Sequence, residues 1–166
     1  MEKITSITIP NSVVHIEAGA FFDNALTSVT MGNGLTNIGN SAFANNYLTS
    51  VVIPNNVTLI ESGAFFNNAL TSVSIGNSVE HIGSSAFANN YLTNVVIPNN
   101  VTHIGDRAFA DNDLTNITIG YDVTIVRTPD WFTGQDRFGS SFADFYESQG
   151  HAAGTYTYSS GVWSRN

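Results

Sequence analysis

The stretch LTSVVIPNNVTLIESGAFFNNA, residues 48–69, recurs along most of this chain with a period of 22 residues. Full rows begin at residues 4, 26, 48, 70 and 92, and a row beginning at 114 diverges in its second half. A period of about 20 to 50 residues indicates a solenoid, in which each repeat forms one coil. We therefore expect a repeat array over residues 1–132 and a C-terminal capping segment over 133–166.

Apolar and polar residues alternate at the start of each row. Positions 1, 4 and 6 are aliphatic or Met, as in Leu48, Val51 and Ile53. This alternation, rich in β-branched residues, predicts a short strand with one buried face, which Pro or Gly at position 7 ends. Positions 10 and 13 are aliphatic again, down to Val123 and Val126 of the sixth row, and are expected to point inward.

Three further columns of identical or similar residues support stacked coils. Position 15 offers N-caps for one helical or 3₁₀ turn in Asn40, Ser62, Ser84 and Asp106. Position 18 is always aromatic and predicts a buried spine of rings: Phe21, Phe43, Phe65, Phe87, Phe109 and, in the last row, Trp131. Position 8 holds asparagines that could satisfy backbone groups of the turn: Asn11, Asn33, Asn55, Asn77 and Asn99.

A second period of 44 residues overlies the first. Pro and Gly alternate at position 7, and each of the first four rows carries one extra aromatic residue, at position 19 or at position 22. These residues are Phe22, Tyr47, Phe66 and Tyr91. We interpret the alternation as constant volume in a close-packed interior, so the structural unit is a pair of rows.

The consensus L-T-x-V-x-I-P-x-x-V-x-x-I-x-x-x-A-F, which extends from residue 4 to about 132, closely resembles the BspA-like leucine-rich repeats of bacterial surface proteins. The tail FADFYESQGHAAGTYTYSSGVWSR, residues 142–165, resembles the segment that follows such arrays. That family often has Cys where this chain has Asn pairs. The resemblance implies a right-handed coil with a parallel sheet on the concave face, short helical or 3₁₀ turns opposite, and binding or adhesion by a secreted or cell-surface protein.

The two ends of the array differ. Ser140 or Ser141 could begin a helix that Gly150 ends, with Phe138, Phe142, Phe145 and Tyr146 on one side, and GTYTYSSGVWSR then reads as a hairpin. We expect these rings to be buried as a cap; exposed rings would instead form a carbohydrate-binding platform. At the N-terminus, Ile4 follows only three residues. The first strand edge should therefore self-associate or continue into earlier repeats.

Composition excludes several classes of function. A net charge of −8, with five scattered basic residues, disfavours nucleic acid as a partner. There is no Cys, and no apolar run long enough to insert into a membrane. The N-terminus lacks the apolar stretch of a signal peptide, which indicates an intracellular protein or a mature or trimmed chain. The family resemblance favours an extracellular or cell-surface location.

Candidate chemistry is sparse. His15, His81 and His103 share position 12, and the last two could form a two-histidine metal site, although no third ligand is evident. Asp111, Asp113 and Asp136 could hold calcium or could simply replace turn asparagines. We expect no metal, no cofactor and no enzyme, because a repeat places one residue type in a line whereas catalysis requires different groups at one point.

The predicted site is the outward face of the strands, at positions 3 and 5 of the middle rows. It comprises Ser28, Thr30, Ser50, Val52, Ser72, Ser74, Asn94 and Val96. Solenoids commonly bind extended partners in this way, and we expect a protein or host-matrix ligand. The face has no Trp, Tyr or Arg anchor, so affinity should be modest or depend on many copies. A structural spacer, and a Thr/Ser array that binds ice or polysaccharide, are the alternatives.

Overall fold

The computed structural model describes residues 3–126 and 140–166, and the first of these segments is a solenoid of stacked coils. The predicted fold class is confirmed. Each coil contributes a longer strand that begins at row position 3 and ends at position 5 or 6: β1 (Ser6–Ile9), β3 (Ser28–Met31), β5 (Ser50–Val52), β7 (Ser72–Ser74), β9 (Asn94–Val96) and β11 (Asn116–Ile119). Each coil also contributes a two-residue strand: β2 (His15–Ile16), β4 (Asn37–Ile38), β6 (Leu59–Ile60), β8 (His81–Ile82), β10 (His103–Ile104) and β12 (Thr124–Ile125). The second series was not predicted.

The short strands form one continuous parallel ladder in which residues 22 apart pair, as His81 pairs with His103. The register slips at the last coil, where His103 pairs with Thr124 and Ile104 pairs with Ile125. Val126 is consequently exposed, and the prediction that it points inward is wrong. The sixth row therefore leaves the period inside its second half.

The longer strands pair in twos: β1 with β3, β5 with β7 and β9 with β11. Each pair joins a proline row to the glycine row that follows it, which agrees with the two-row unit. Within the described residues, β3 does not pair with β5 and β7 does not pair with β9, so pairing stops before the rows that contain Pro54 and Pro98. Proline has no backbone N–H to offer a neighbouring strand. Within a pair the contact is tight, since a Cβ at Gly76 would lie 2.2 Å from the Pro54 carbonyl oxygen.

The phenylalanine spine is present through the described array. Consecutive rings from Phe21 to Phe109 stack with centroids 5.1 to 5.3 Å apart and planes within 5 to 13°. Phe43, Phe65, Phe87 and Phe109 are fully buried among the aliphatic residues of positions 1, 4, 6, 10 and 13. Trp131, predicted to end the spine, lies outside the described residues. Nearly parallel rings show that successive described coils are related almost by translation.

The segment before the spine forms successive turns and not the predicted helical or 3₁₀ turn. In row three, Ala64 N–H donates to Glu61 O and Phe66 N–H donates to Gly63 O, at 3.3 and 2.9 Å. Between these bonds the residue at position 16 has a positive φ, 63° at Gly63 and 55° at Ser85. A helical turn requires negative φ, so Asn40, Ser62, Ser84 and Asp106 do not cap helices.

Two asparagine columns join neighbouring coils. At position 8, as predicted, Asn33 N–H donates to Asn11 Oδ1 and Asn77 N–H donates to Asn55 Oδ1. At position 21 the column Asn46, Asn68, Asn90 and Asn112 is buried, and this role was not predicted. Asn68 Nδ2 donates to Phe43 O of the preceding coil at 2.9 Å, and Asn68 Oδ1 accepts from Leu48 N–H at 3.1 Å. One amide thus satisfies buried backbone groups of two coils.

The chain ends in α1 (Ser140–Ser148) and a hairpin of β13 (Gly154–Ser159) and β14 (Val162–Arg165). β13 pairs antiparallel with β11, so it covers the last edge of the longer-strand series. Phe142, Tyr146, Tyr156 and Trp163 are buried and contact one another through their rings. Phe138 lies outside the described residues.

Candidate functional site: the strand face and an aromatic flank

The strand face consists of the eight outward residues Ser28, Thr30, Ser50, Val52, Ser72, Ser74, Asn94 and Val96. All eight are exposed, because alternate residues of a strand point to opposite sides and the others enter the core. Register aligns them in rows across the coils: Ser50 pairs with Ser72 and Val52 pairs with Ser74. The structure therefore brings every predicted site residue onto one surface.

Two valines distinguish this face from an ordinary polar surface. Val52 and Val96 occupy the same row position two coils apart, and 66% and 64% of their surface is exposed. Their neighbours are hydroxyl or amide side chains, and none of the eight residues is charged. The face is thus neutral and slightly apolar, which suits a binding partner that can desolvate it without burying charge.

The cap limits the strand face at one end. Thr118 Oγ1 of β11 lies 3.0 Å from Thr155 Oγ1 of β13, and Asn116 Oδ1 accepts from Thr157 Oγ1 at 3.3 Å. Beneath this strand, Tyr146 Oη lies 2.6 Å from Gly120 O and accepts from Val123 N–H. Burial raises the pKa of Tyr146, and burial likewise raises the pKa of Tyr156. Both phenols act as structural groups of the cap.

A second surface lies on the turns that lead into the strands. We call Phe22, Tyr47, Phe66 and Tyr91 the aromatic flank; their exposed fractions are 49, 62, 38 and 60%. The prediction that these rings share a constant volume inside the core is wrong. Position 18 already sends one ring inward in each coil, and a ring at position 19 or 22 then extends beyond the surface. The sequence showed that the extra rings alternate between two positions, but the prediction placed them in the core and they lie on the surface.

Amides run between the two columns of the aromatic flank. Asn67 Nδ2 donates to Asn45 Oδ1 at 2.9 Å, and Asn89 Nδ2 donates to Asn67 Oδ1 at 2.6 Å. Each of these side-chain amides carries two N–H donors. Asn67 and Asn89 each keep one N–H without a partner among the described residues. Rings and amides together give this surface the two kinds of group that recognise polar, hydrogen-bonding ligands with apolar faces.

The other candidate ligands do not gather into a larger site. The exposed rings of His81 and His103 lie 4.9 Å apart, and Thr102 Oγ1 lies 2.9 Å from His103 Nδ1. Over residues 3–126 and 140–166 there is no group of three His, Cys, Asp or Glu side chains suited to a metal ion. Arg107 Nη2 lies 3.4 Å from Asp111 Oδ2. Asp136 lies outside the described residues.

No helix in the described part of the chain is long and apolar enough to cross a membrane. Along the strand face, position 3 holds Ser or Asn and position 5 holds Thr, Val or Ser, so each column presents small, uncharged side chains. The arrangement is one that can bind a ligand along its length.

The comparisons with known proteins agree with this geometry. The family model described as a BspA type leucine rich repeat region matches residues 1–115 in six copies. Among solved structures, the chain is similar to the pneumococcal vaccine antigen PcpA, at 25% identity and a TM-score of 0.64 over 71% of this chain and 31% of that one. It is also similar to a leucine rich cell surface protein from Faecalibacterium prausnitzii A2-165, at 29% identity and a TM-score of 0.52 over 70% and 39% of the two chains.

This chain therefore spans about a third of the length of these two structural relatives. No curated protein matches it.

Proposed function

The chain belongs to the BspA-type leucine-rich repeat family, and from that premise we propose that it is a non-catalytic interaction module of a bacterial cell-surface or secreted protein. Its strand face binds an extended protein, such as a component of the host matrix. Solenoids of this class generally serve as scaffolds. The cell-surface description of the Faecalibacterium relative supports the location.

The observation that carries the proposal is the exposure of Val52 and Val96 in a neutral, aligned surface. One edge of β5 and of β9 bonds to β7 and to β11, and the other edge lies against the preceding coil, so a partner contacts side chains and not an open strand edge. Burying two valines supplies about 3 to 5 kcal/mol, while Ser and Asn side chains hydrogen-bond to the partner. No aromatic or arginine anchor lies among the eight residues. Affinity is accordingly modest, and repeated copies on a surface raise it.

The test is capture of immobilised fibronectin, laminin and collagen, measured by biolayer interferometry. Replacing both valines, Val52→Lys with Val96→Lys, should weaken capture at least ~10-fold, because two buried charges each cost more than the lost contact. Val14→Lys is the matched control, since Val14 is an exposed valine outside the strand face.

Equal loss in the control, or unchanged capture by the double variant, contradicts the proposed face. If the parent chain captures none of the three proteins, binding to this panel is contradicted. That result would favour the alternative of a structural spacer, which requires no binding partner.

A further inference from the structure

The aromatic flank is the part of the surface that the proposed strand-face contact does not use. Its central section consists of Ala-Asn-Asn-Tyr at 44–47, Phe-Asn-Asn-Ala at 66–69 and Ala-Asn-Asn-Tyr at 88–91. These twelve residues carry no charge. Exposed aromatic rings are costly to hydrate, and a regular series of them is a candidate place for a ligand to bind.

The rings follow a regular geometry. One ring belongs to each of the first four coils, and the rings alternate between position 19 and position 22, on either side of the Asn45–Asn67–Asn89 ladder. Coils related almost by translation keep each column straight. Tyr47 and Tyr91, two coils apart, are therefore separated by about 10 Å along the array, as are Phe22 and Phe66.

Linear β-1,4-linked glycans match this pattern. Such a chain is straight, advances by one sugar over a length close to that of one coil, and turns successive rings over. The apolar C–H face of a pyranose packs on an aromatic ring, while its hydroxyls accept hydrogen bonds from side-chain amides. The uncharged section also suits a neutral polymer, since an acidic or basic ligand would find no opposite charge there.

We propose that the aromatic flank is a binding site for a neutral, linear β-1,4-linked glycan, with Tyr47 and Tyr91 stacking on sugars of like orientation. Asn67 and Asn89 supply hydrogen-bond donors between them. Tyr47 and Tyr91 precede the strand-face residues Ser50 and Asn94 by three positions along the chain, so the flank borders the strand face without sharing a residue with it. The inference does not depend on the protein ligand proposed above.

The test uses cellohexaose, xylohexaose and chitohexaose, with maltohexaose as the curved α-linked control, in NMR titrations of the full chain. At least one β-linked hexasaccharide should bind and shift amide resonances of residues 44–47, 66–69 and 88–91. Tyr47→Ala with Tyr91→Ala should weaken that binding at least ~10-fold, whereas Tyr47→Phe with Tyr91→Phe should retain it. Tyr121→Ala, which removes an exposed tyrosine outside the flank, should leave binding unchanged.

All three variants change only exposed tyrosines, and a melting curve for each variant verifies folding. Lack of binding to every β-linked hexasaccharide overturns the proposal, as does equal binding of maltohexaose. If the Tyr47→Ala, Tyr91→Ala chain instead loses capture of a matrix protein while no glycan binds, the flank is part of the protein interface and the glycan assignment is wrong. The valine-to-lysine variants separate the two surfaces, because they should leave glycan binding intact.

Discussion

The first and the last coils of the described array place similar residues in different surroundings. Ile4 and Leu114 both occupy row position 1, yet 41% of Ile4 is exposed and none of Leu114 is. Ile7 and Ile117 differ in the same direction, half-buried against fully buried. The last coil has a neighbour on each side, because the cap covers it, whereas the first described coil contacts only the second. Burial in a solenoid is thus a property of adjacent coils and not of a residue's own row.

Removing the cap should have the largest effect. Deletion of residues 136–166 uncovers Ile117, Ile119 and Val123 together with the edge of β11. We expect aggregation, or a fall in melting temperature well beyond the ~2–4 °C that one lost kcal/mol produces in a domain of this size. Differential scanning calorimetry with size-exclusion chromatography measures both. An unchanged, monomeric melting profile would show that the sixth coil needs no cover.

The phenylalanine spine allows a direct comparison of the interior with the exposed end. Phe65→Ala should lower the free energy of unfolding by about 3–5 kcal/mol, because the ring is fully buried between Phe43 and Phe87. Phe21→Ala, with one stacked neighbour and partial exposure, should cost only ~1–2 kcal/mol. Urea denaturation gives both values, and equal costs would contradict the difference between the ends.

The cap also has a pH dependence. Burial raises the pKa of Tyr146 above its ordinary value of 10.0, so the neutral phenol is favoured in the folded state. The resulting stability is complete below pH 10 and is lost as the pH rises through the folded pKa. Tyr146→Phe should cost about 1–2 kcal/mol at neutral pH, since it removes the bond to Gly120 O, but should lose less stability between pH 9 and 11. Tyr121→Phe, on an exposed ring, is the control, and parallel pH profiles for Tyr146→Phe and the parent would contradict this role.

The smallest effect is expected at the first strand. β1 pairs with β3 on one side only within the described residues, so its other edge is open. Amide hydrogens of Ser6–Ile9 should exchange faster than those of β9, and static light scattering should show weak self-association at high concentration. Exchange as slow as that of β9, in a strict monomer at every concentration, would contradict an open first edge.

Much of the fold follows from residues whose environment repeats. The aliphatic positions, the Phe column and the turn asparagines could be placed because 22-residue spacing gives each of them an identical neighbour above and below. The aromatic flank (Phe22, Tyr47, Phe66 and Tyr91) could not be placed in this way. The spacing shows that its rings align in columns, but not whether the columns point inward or outward. The buried amides of Asn46 and Asn68 were missed for a related reason. Polar residues near turns usually face water, and only the contacts with the preceding coil reveal their partners.

The positive φ at Ser41, Ser85 and Arg107 was also invisible in the sequence. Nothing in these residue types demands a left-handed backbone, which Gly and Asn adopt more readily. Successive turns therefore form where a helical turn was expected. The slip at Thr124 has a similar origin, since the sixth row has two adjacent apolar residues, Ile125 and Val126, and the spacing alone selects Val126 as the inward one.

The proline-on-glycine contact bears on how such an array can change length. Deleting residues 70–91, one coil, would set the Pro98 row directly on the Pro54 row, where the neighbouring Gly76 has no room for a Cβ. Deleting residues 48–91, two coils, would set the Pro98 row on the Gly32 row and reproduce a junction that already exists between rows two and three. Gene duplication and recombination should accordingly lengthen or shorten this protein in steps of 44 residues, each adding or removing a Pro–Gly pair of coils and, on the flank, one phenylalanine and one tyrosine.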